Sequence, residues 1–307
     1  MIYMERKVTF KNNQLKMAGL MFLPEGFDEG KKYPAIVISN PAGAVKEQSP
    51  ALYGRKIAEK GFIALAFDTS HQGESEGLPR QLENPPERVE DIRCAVDYLV
   101  TLPFVDTDRI GAMGICSGGG YSANVAMTER RIKAVVGVSS TDPGSWIRNG
   151  LDEKNPTPVE EQIKMLEAIS QERTNIAKGA EPLYGPFVPD EVTDDMAVTL
   201  KEAHEYYRTP RGSHPNSTNK VLLVGGQRLV EFDCFNLTKT LLTQPLLLIA
   251  GSKADTLYFS KQLIERAASK DKELFIIEGA THVDMYDREQ YVNQAIEKIA
   301  VFFNEKM

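Results

Sequence analysis

The chain has 307 residues, of which 42% are hydrophobic and 26% charged, with a formal net charge of −7. That length buries a substantial core, as one large domain or one domain with an insertion, while the acidic balance excludes an electrostatic case for nucleic acid or an anionic membrane surface. No apolar run approaches membrane-spanning length, the N-terminus lacks the apolar stretch of a signal peptide, and the scattered cysteines Cys94, Cys116 and Cys234 form no disulfide framework, so a reducing cytoplasm is the expected compartment.

In chain order, "RKVTF" and "KMAGLMFLP" read as an antiparallel hairpin at a sheet edge. "YPAIVISN" (33–40) is then a buried strand, "SPALYGRKIAEKG" a helix, "FIALAFD" (62–68) a strand and "PPERVEDIRCAVDYLVTL" (85–102) a helix. "RIGAMGI" (109–115) is the next strand, a glycine cluster opens a helix through Met127, and "KAVVGVS" (133–139) follows as a strand. Continuous Val/Ile/Leu runs, rather than alternating ones, mark strands covered on both faces. From about Asp142 to Gln244 the composition shifts to charge, proline and helix formers, and then alternation resumes with "PLLLIAG" (245–251), "ELFIIEG" (273–279) and a closing helix. These elements predict an α/β fold with a mainly parallel eight-stranded sheet and helices on both faces. Residues 1–141 and 245–307 would form the core, and 142–244 an inserted, mostly helical cap or lid; a surface embellishment is the alternative. Neither internal repeats nor low-complexity tracts are present.

The stretch "GAMGICSGGGY" (111–121) sets a cysteine beside a serine where a strand meets a helix. A sharp strand-to-helix turn can present one side chain at the sheet's carboxyl edge, with small residues needed two positions to either side. Centred on Cys116, the flanks are Gly114 and Gly118; centred on Ser117, the first flank is the branched Ile115. The spacing therefore favours Cys116 as nucleophile, with the backbone N–H of Ser117 as an oxyanion donor. An inert core cysteine is the alternative. A phosphate loop is poorly supported, because neither Gly-x-Gly-x-x-Gly nor a Gly-Lys-Ser/Thr ending is present.

Four histidines are available as base: His71, His204, His214 and His282. His282 follows the last strand in "ELFIIEGATHVDMYD", and Asp255 follows the strand before it in "LLLIAGSKADT". Cys116, Asp255 and His282 thus stand in the chain order nucleophile, acid, base. His204 and His214 lie in the insertion and read as solvated, and Cys94 reads as core. Cys234 would line a pocket only if the insertion closes over Cys116.

With these residues in place, the sequence resembles an α/β-hydrolase. The Gly-x-Cys-x-Gly elbow resembles the dienelactone hydrolase branch, and "GATHVDMYD" with "NPAGAVKEQ" is similar to bacterial hydrolases described as dienelactone-hydrolase-like or polyketide-thioesterase-like. The resemblance covers 5–140 and 245–305, not the insertion. One departure is Asn40-Pro41-Ala42-Gly43, which stands where the family commonly carries His-Gly. The resemblance implies that this loop supplies the second oxyanion donor, from Ala42 or from Gly43, since Pro41 has no N–H. "DTSHQGESEG" (68–77) resembles a pocket-wall loop, which makes His71 a candidate substrate-binding residue, with a structural loop histidine as the alternative; Gly43 of the Asn40–Gly43 loop is the other candidate. Lys46, Glu47 and Gln48 read as a solvated face.

The expected activity is hydrolysis of an activated ester, lactone or thioester through a Cys116–His282–Asp255 triad and an acyl-enzyme. The alternatives are a serine esterase or acyltransferase using Ser117, or a non-catalytic small-molecule-binding protein of the same fold. The expected partner is a small molecule, not nucleic acid or membrane, with homo-oligomerisation left open. No metal or organic cofactor is required for this chemistry.

Overall fold

The computed structural model describes residues 4–151 and 156–307; residues 1–3 of the expected core and 152–155 of the expected insertion lie outside them. The hairpin of β1 (Met4–Asn12) and β2 (Leu15–Leu23) is antiparallel and sits at one edge of the sheet, as its short connection requires. β3 (Tyr33–Ser39), α1 (Ser49–Ala58), β4 (Ile63–Phe67), α2 (Pro85–Val100), β5 (Val105–Ile115), α3 (Ser117–Ala126) and β6 (Ile132–Val138) follow in alternation. The inserted stretch carries α4 (Pro143–Asn149), α5 (Val159–Ala177), β7 (Tyr184–Pro186), α6 (Val198–Arg208), β8 (Lys220–Leu222), α7 (Gly226–Glu231) and α8 (Thr238–Leu241). Alternation then resumes with β9 (Leu246–Gly251), α9 (Leu257–Arg266), β10 (Lys272–Ile277), α10 (Asp284–Asp287) and α11 (Glu289–Lys306). The eight strands of the main sheet lie in the order β1-β2-β4-β3-β5-β6-β9-β10, antiparallel only where β2 is involved. The expected α/β architecture is therefore observed.

The uninterrupted apolar runs are explained by burial of both faces. Ile36 and Ile38 of β3, Met113 and Ile115 of β5 and Leu247 and Ile249 of β9 pack against α1 and α11. Their neighbours Ala35, Val37, Ile110, Ala112, Leu246 and Leu248 pack against α2, α3 and α9. From β3 the chain winds outward to β4 and then returns to the other side for β5, so strand order reverses between β3 and β5. Such a switch point opens a crevice at the strands' carboxyl ends. The loop after Ser39 and the turn after Ile115 meet there, because Ser39 pairs with Gly114.

Where the chain leaves β6, Asp142 caps α4, its carboxylate accepting from the N–H groups of Gly144 at 2.9 Å and Ser145 at 3.2 Å. β7 and β8 pair as a short antiparallel ribbon, which the composition of this stretch did not indicate. Among the described residues no helix is long and apolar enough to cross a membrane.

Candidate active site

The turn from β5 into α3 is strained at one residue. Cys116 has φ 57° and ψ −124°, a left-handed conformation that a non-glycine residue holds only when its surroundings impose it. Those surroundings are close backbone contacts: a Cβ on Gly114 would lie 2.0 Å from the carbonyl carbon of Gly118, and one on Gly118 would lie 2.2 Å from the Ser39 carbonyl oxygen. Cys116 N–H donates to Val138 O at 2.9 Å, and its own carbonyl accepts from Gly119 and Thr141 N–H, both at 3.0 Å. The elbow is thus centred geometrically on Cys116. Ser117 is the first residue of α3, where helix N–H groups have no intrahelical acceptor. Its hydroxyl is buried without a partner among the described residues.

His282 follows β10 and is buried. Its Nδ1 lies 2.6 Å from Thr256 Oγ1 and its Nε2 3.1 Å from the Tyr286 hydroxyl. The Cys116 Sγ sits 3.7 Å from Thr141 Oγ1. Burial pushes the Cys116 thiol up, but the charge of His282, with hydrogen bonds from His282, Tyr286 and Thr141, more than reverses this and brings it down to about 7 from an ordinary 9.0. An activated thiol beside a buried imidazole can attack an electrophilic carbon and pass its proton to a base.

Asp255 is not brought to this imidazole. Its carboxylate accepts from Thr199 N–H at 3.1 Å and from the Thr199 hydroxyl, both on α6. Among the described residues no carboxylate lies within ion-pair distance of His282. The neighbouring Thr256 takes the Nδ1 position instead, because the turn after β9 directs successive side chains to different partners.

Cys116, Ser117 and His282 border a cavity of about 310 Å³ together with Ala42 and Gly43. Gly43 has φ +70°, and a Cβ there would lie 2.5 Å from the Phe187 ring, so only glycine fits. Trp146 and Ile147 of α4, Phe187, Val188, Leu200 and Ala203 of α6 and Val221 of β8 make the wall mainly apolar, with Gln72, Gln81 and Glu83 as a polar corner. His71 is outside this lining. Its Nδ1 lies 3.0 Å from Pro79 O and its Nε2 2.8 Å from Glu87, so one ring nitrogen braces the loop, the other ties it to α2, and neither faces the cavity. His204 and His214 do not line the cavity either. Cys94 and Cys234 are buried in the core on the α2 and α3 side, and Cys234 also stays off the cavity.

The expected solvated face at 46–48 is a correction as well. Lys46 is only 1% exposed, and its ammonium donates to Asp68 at 2.8 Å, Glu47 at 2.7 Å and Glu74 at 2.6 Å. The three carboxylates converge as they would around a cation, and the cation they hold is Lys46. Gln48 donates to Gly212 O at 2.6 Å, joining the core to the segment after α6. Thr256, Thr141, Tyr207 and Tyr286 escaped the sequence reading. Tyr286 alone carried a usable signal, since it lies four residues after His282 and a helical turn sets i and i+4 on one face.

A family model described as the dienelactone hydrolase family matches residues 17–160, a span that includes the elbow and ends before His282. The chain is 43% identical over 307 residues to the uncharacterized protein YcjY of Escherichia coli (strain K12), covering 99% of this chain and 100% of that one. The crystal structure of hypothetical protein PA2218 from Pseudomonas aeruginosa superposes with a TM-score of 0.92 at 38% identity, covering 99% of this chain and 94% of that one. Thiohydrolase aneE of Aspergillus aculeatus is 26% identical over 193 residues, 63% of this chain and 58% of that protein.

Proposed function

This chain belongs to the dienelactone hydrolase family and is a hydrolase of the α/β-hydrolase fold, and from that premise we propose that it cleaves an activated ester, lactone or thioester through an acyl-Cys116 intermediate. The single observation that carries the reading is the left-handed elbow at Cys116, which holds a thiol depressed to about 7 beside His282 on the cavity wall.

His282 Nε2 accepts the Cys116 proton, and the thiolate forms a bond to the substrate carbonyl carbon. Thr256 holds the ring by its other nitrogen, in the position an acid would otherwise take. The carbonyl oxygen becomes an oxyanion directed toward the N–H groups of Ser117 and Ala42; one such donor contributes roughly 3–4 kcal/mol. The leaving group departs with a proton from His282, and a water activated by the same imidazole then hydrolyses the acyl-Cys116 thioester.

A thiolate leaves a tetrahedral intermediate more readily than an alkoxide, so alkyl esters revert while enol-lactones, aryl esters and thioesters proceed. The name of the relative aneE, a thiohydrolase, agrees with a thioester substrate. Residues 142–244 act as a cap over the core, since α4, α6 and β8 supply much of the apolar wall that would receive the acyl group.

The test is intact-protein mass spectrometry with peptide mapping after brief exposure to p-nitrophenyl acetate and to an acyl thioester. The expected result is one acetyl on Cys116, absent from Cys116→Ala and strongly slowed in His282→Ala. Acyl on Ser117, or turnover retained in Cys116→Ala, would overturn the reading.

A further inference from the structure

Among the described residues the base at this site has no carboxylate partner, yet the thiol on the same cavity wall is lowered to about 7. The imidazole charge lowers the thiol most, and a neutral hydroxyl at the ring's other nitrogen adds to it. We propose that Tyr286 is a further catalytic residue, whose phenolic hydroxyl bridges His282 Nε2 and Cys116 and donates to the thiolate formed when the imidazole takes the thiol proton. This inference rests on the acyl-Cys116 reading above.

The geometry is specific to the hydroxyl. Tyr286 is buried on α10, four residues beyond His282, with its oxygen 3.1 Å from Nε2, and its hydroxyl is among the groups that lower the Cys116 thiol. It borders the cavity, so it meets the bound substrate's reacting end. Its position is held from both sides. Tyr53 donates to the carbonyl of Met285 at 2.8 Å, and Arg211 donates to the Asp287 carboxylate at 2.9 and 2.7 Å. The Tyr206 ring stands edge-on to it at 5.2 Å.

Burial and the neighbouring Cys116 charge keep the Tyr286 phenol protonated well above its ordinary range. It therefore acts as a hydrogen-bond donor and never as a second base. The titratable groups facing Cys116 are His282 after β10, Tyr286 on α10 and Tyr207 on α6. Tyr207 donates to Ala42 O at 3.4 Å, whereas the Tyr286 hydroxyl lies on His282 Nε2, so Tyr286 is the tyrosine placed to meet both members of the pair. In the acylation step the S–H proton goes to Nε2, the S–C bond forms, and the phenol keeps its own proton. When the intermediate collapses, Nε2 returns its proton to the leaving group and the phenol is free to donate again during deacylation.

The test compares Tyr286→Phe with the parent protein by the pH dependence of iodoacetamide alkylation at Cys116 and by the rate of acetyl-Cys116 formation. Loss of one hydrogen bond to a charged group is worth roughly a 10- to 100-fold decrease in alkylation at neutral pH, with the profile moved to higher pH. If Tyr286→Phe does not fold, tyrosine replaced throughout by 3-fluorotyrosine, a stronger donor of nearly the same shape, should move the profile to lower pH. An unchanged profile in either experiment, with Cys116 still acylated, overturns the role of Tyr286 and leaves the acyl-enzyme reading intact. Failure to acylate Cys116 in the parent protein overturns both.

Discussion

Asp255→Asn and Thr256→Ala separate two roles that adjacent residues of one loop hold. In an ordinary triad, amidating the acid that orients the base lowers kcat by roughly 10⁴-fold. Here Asp255 binds Thr199 on α6 and Thr256 binds His282 Nδ1. The amide of Asp255→Asn keeps one acceptor oxygen and loses the charge; hydrogen bonds to charged groups contribute roughly 1.5–3 kcal/mol. Discounted for the half-buried position and for the retained acceptor, the docking of α6 should weaken by about 1–2 kcal/mol. Thr256→Ala instead leaves a buried ring nitrogen unpaired, at a cost of roughly 1–3 kcal/mol, or about 5- to 150-fold in the acylation rate. Stopped-flow acylation with p-nitrophenyl acetate and limited proteolysis within 142–244 read the two effects independently. Asp255→Asn should speed proteolysis and cost acylation less than about tenfold, while Thr256→Ala should do the reverse. A loss of roughly 10³-fold or more in Asp255→Asn, with α6 still protected, would refute this assignment and show that Asp255 reaches His282 during turnover.

Three further outcomes are expected. Alkylation of Cys116 should be at its plateau above pH 7 and fall about tenfold per unit below it, since the protonated thiol is inert and the group titrates at about 7; a rate still climbing toward about pH 9 would contradict the depressed thiol. Lys46→Met leaves Asp68 buried without its cation, and urea denaturation should record a loss of roughly 3–5 kcal/mol, as for a buried ion pair broken on one side. His71→Gln should lower the melting temperature while kcat and KM stay within about threefold, because the ring bonds to Pro79 and Glu87 rather than facing the cavity; a large rise in KM would return His71 to the substrate site.

The elbow was legible in the sequence because its constraint is local. Gly114 and Gly118 lie two residues to either side of Cys116, and the clashes that a Cβ would cause at either one involve the turn itself or the loop beginning at Ser39. Lys46 was illegible for the opposite reason. A lysine beside Glu47 looks solvated, and only the packing of Asp68 and Glu74 around it supplies the compensation that lets an ammonium be buried. His71 reads as a pocket residue from its loop, but the chain runs through left-handed backbone at His71 itself, φ 70°, and the ring turns toward α2.

The sequence by itself determined the alternation of strands and helices, the two-sided burial of the sheet and the position of the strained residue, because each follows from side-chain period or from contacts within a few residues. Tertiary structure alone decided which side chain meets the base. Asp255 and Thr256 are neighbours with equal access to the end of β9, and the docking of α6 through Thr199 draws the carboxylate away and leaves the hydroxyl on His282. A partner more than fifty positions distant in the chain makes that choice, and such long-range selection leaves no trace in local spacing.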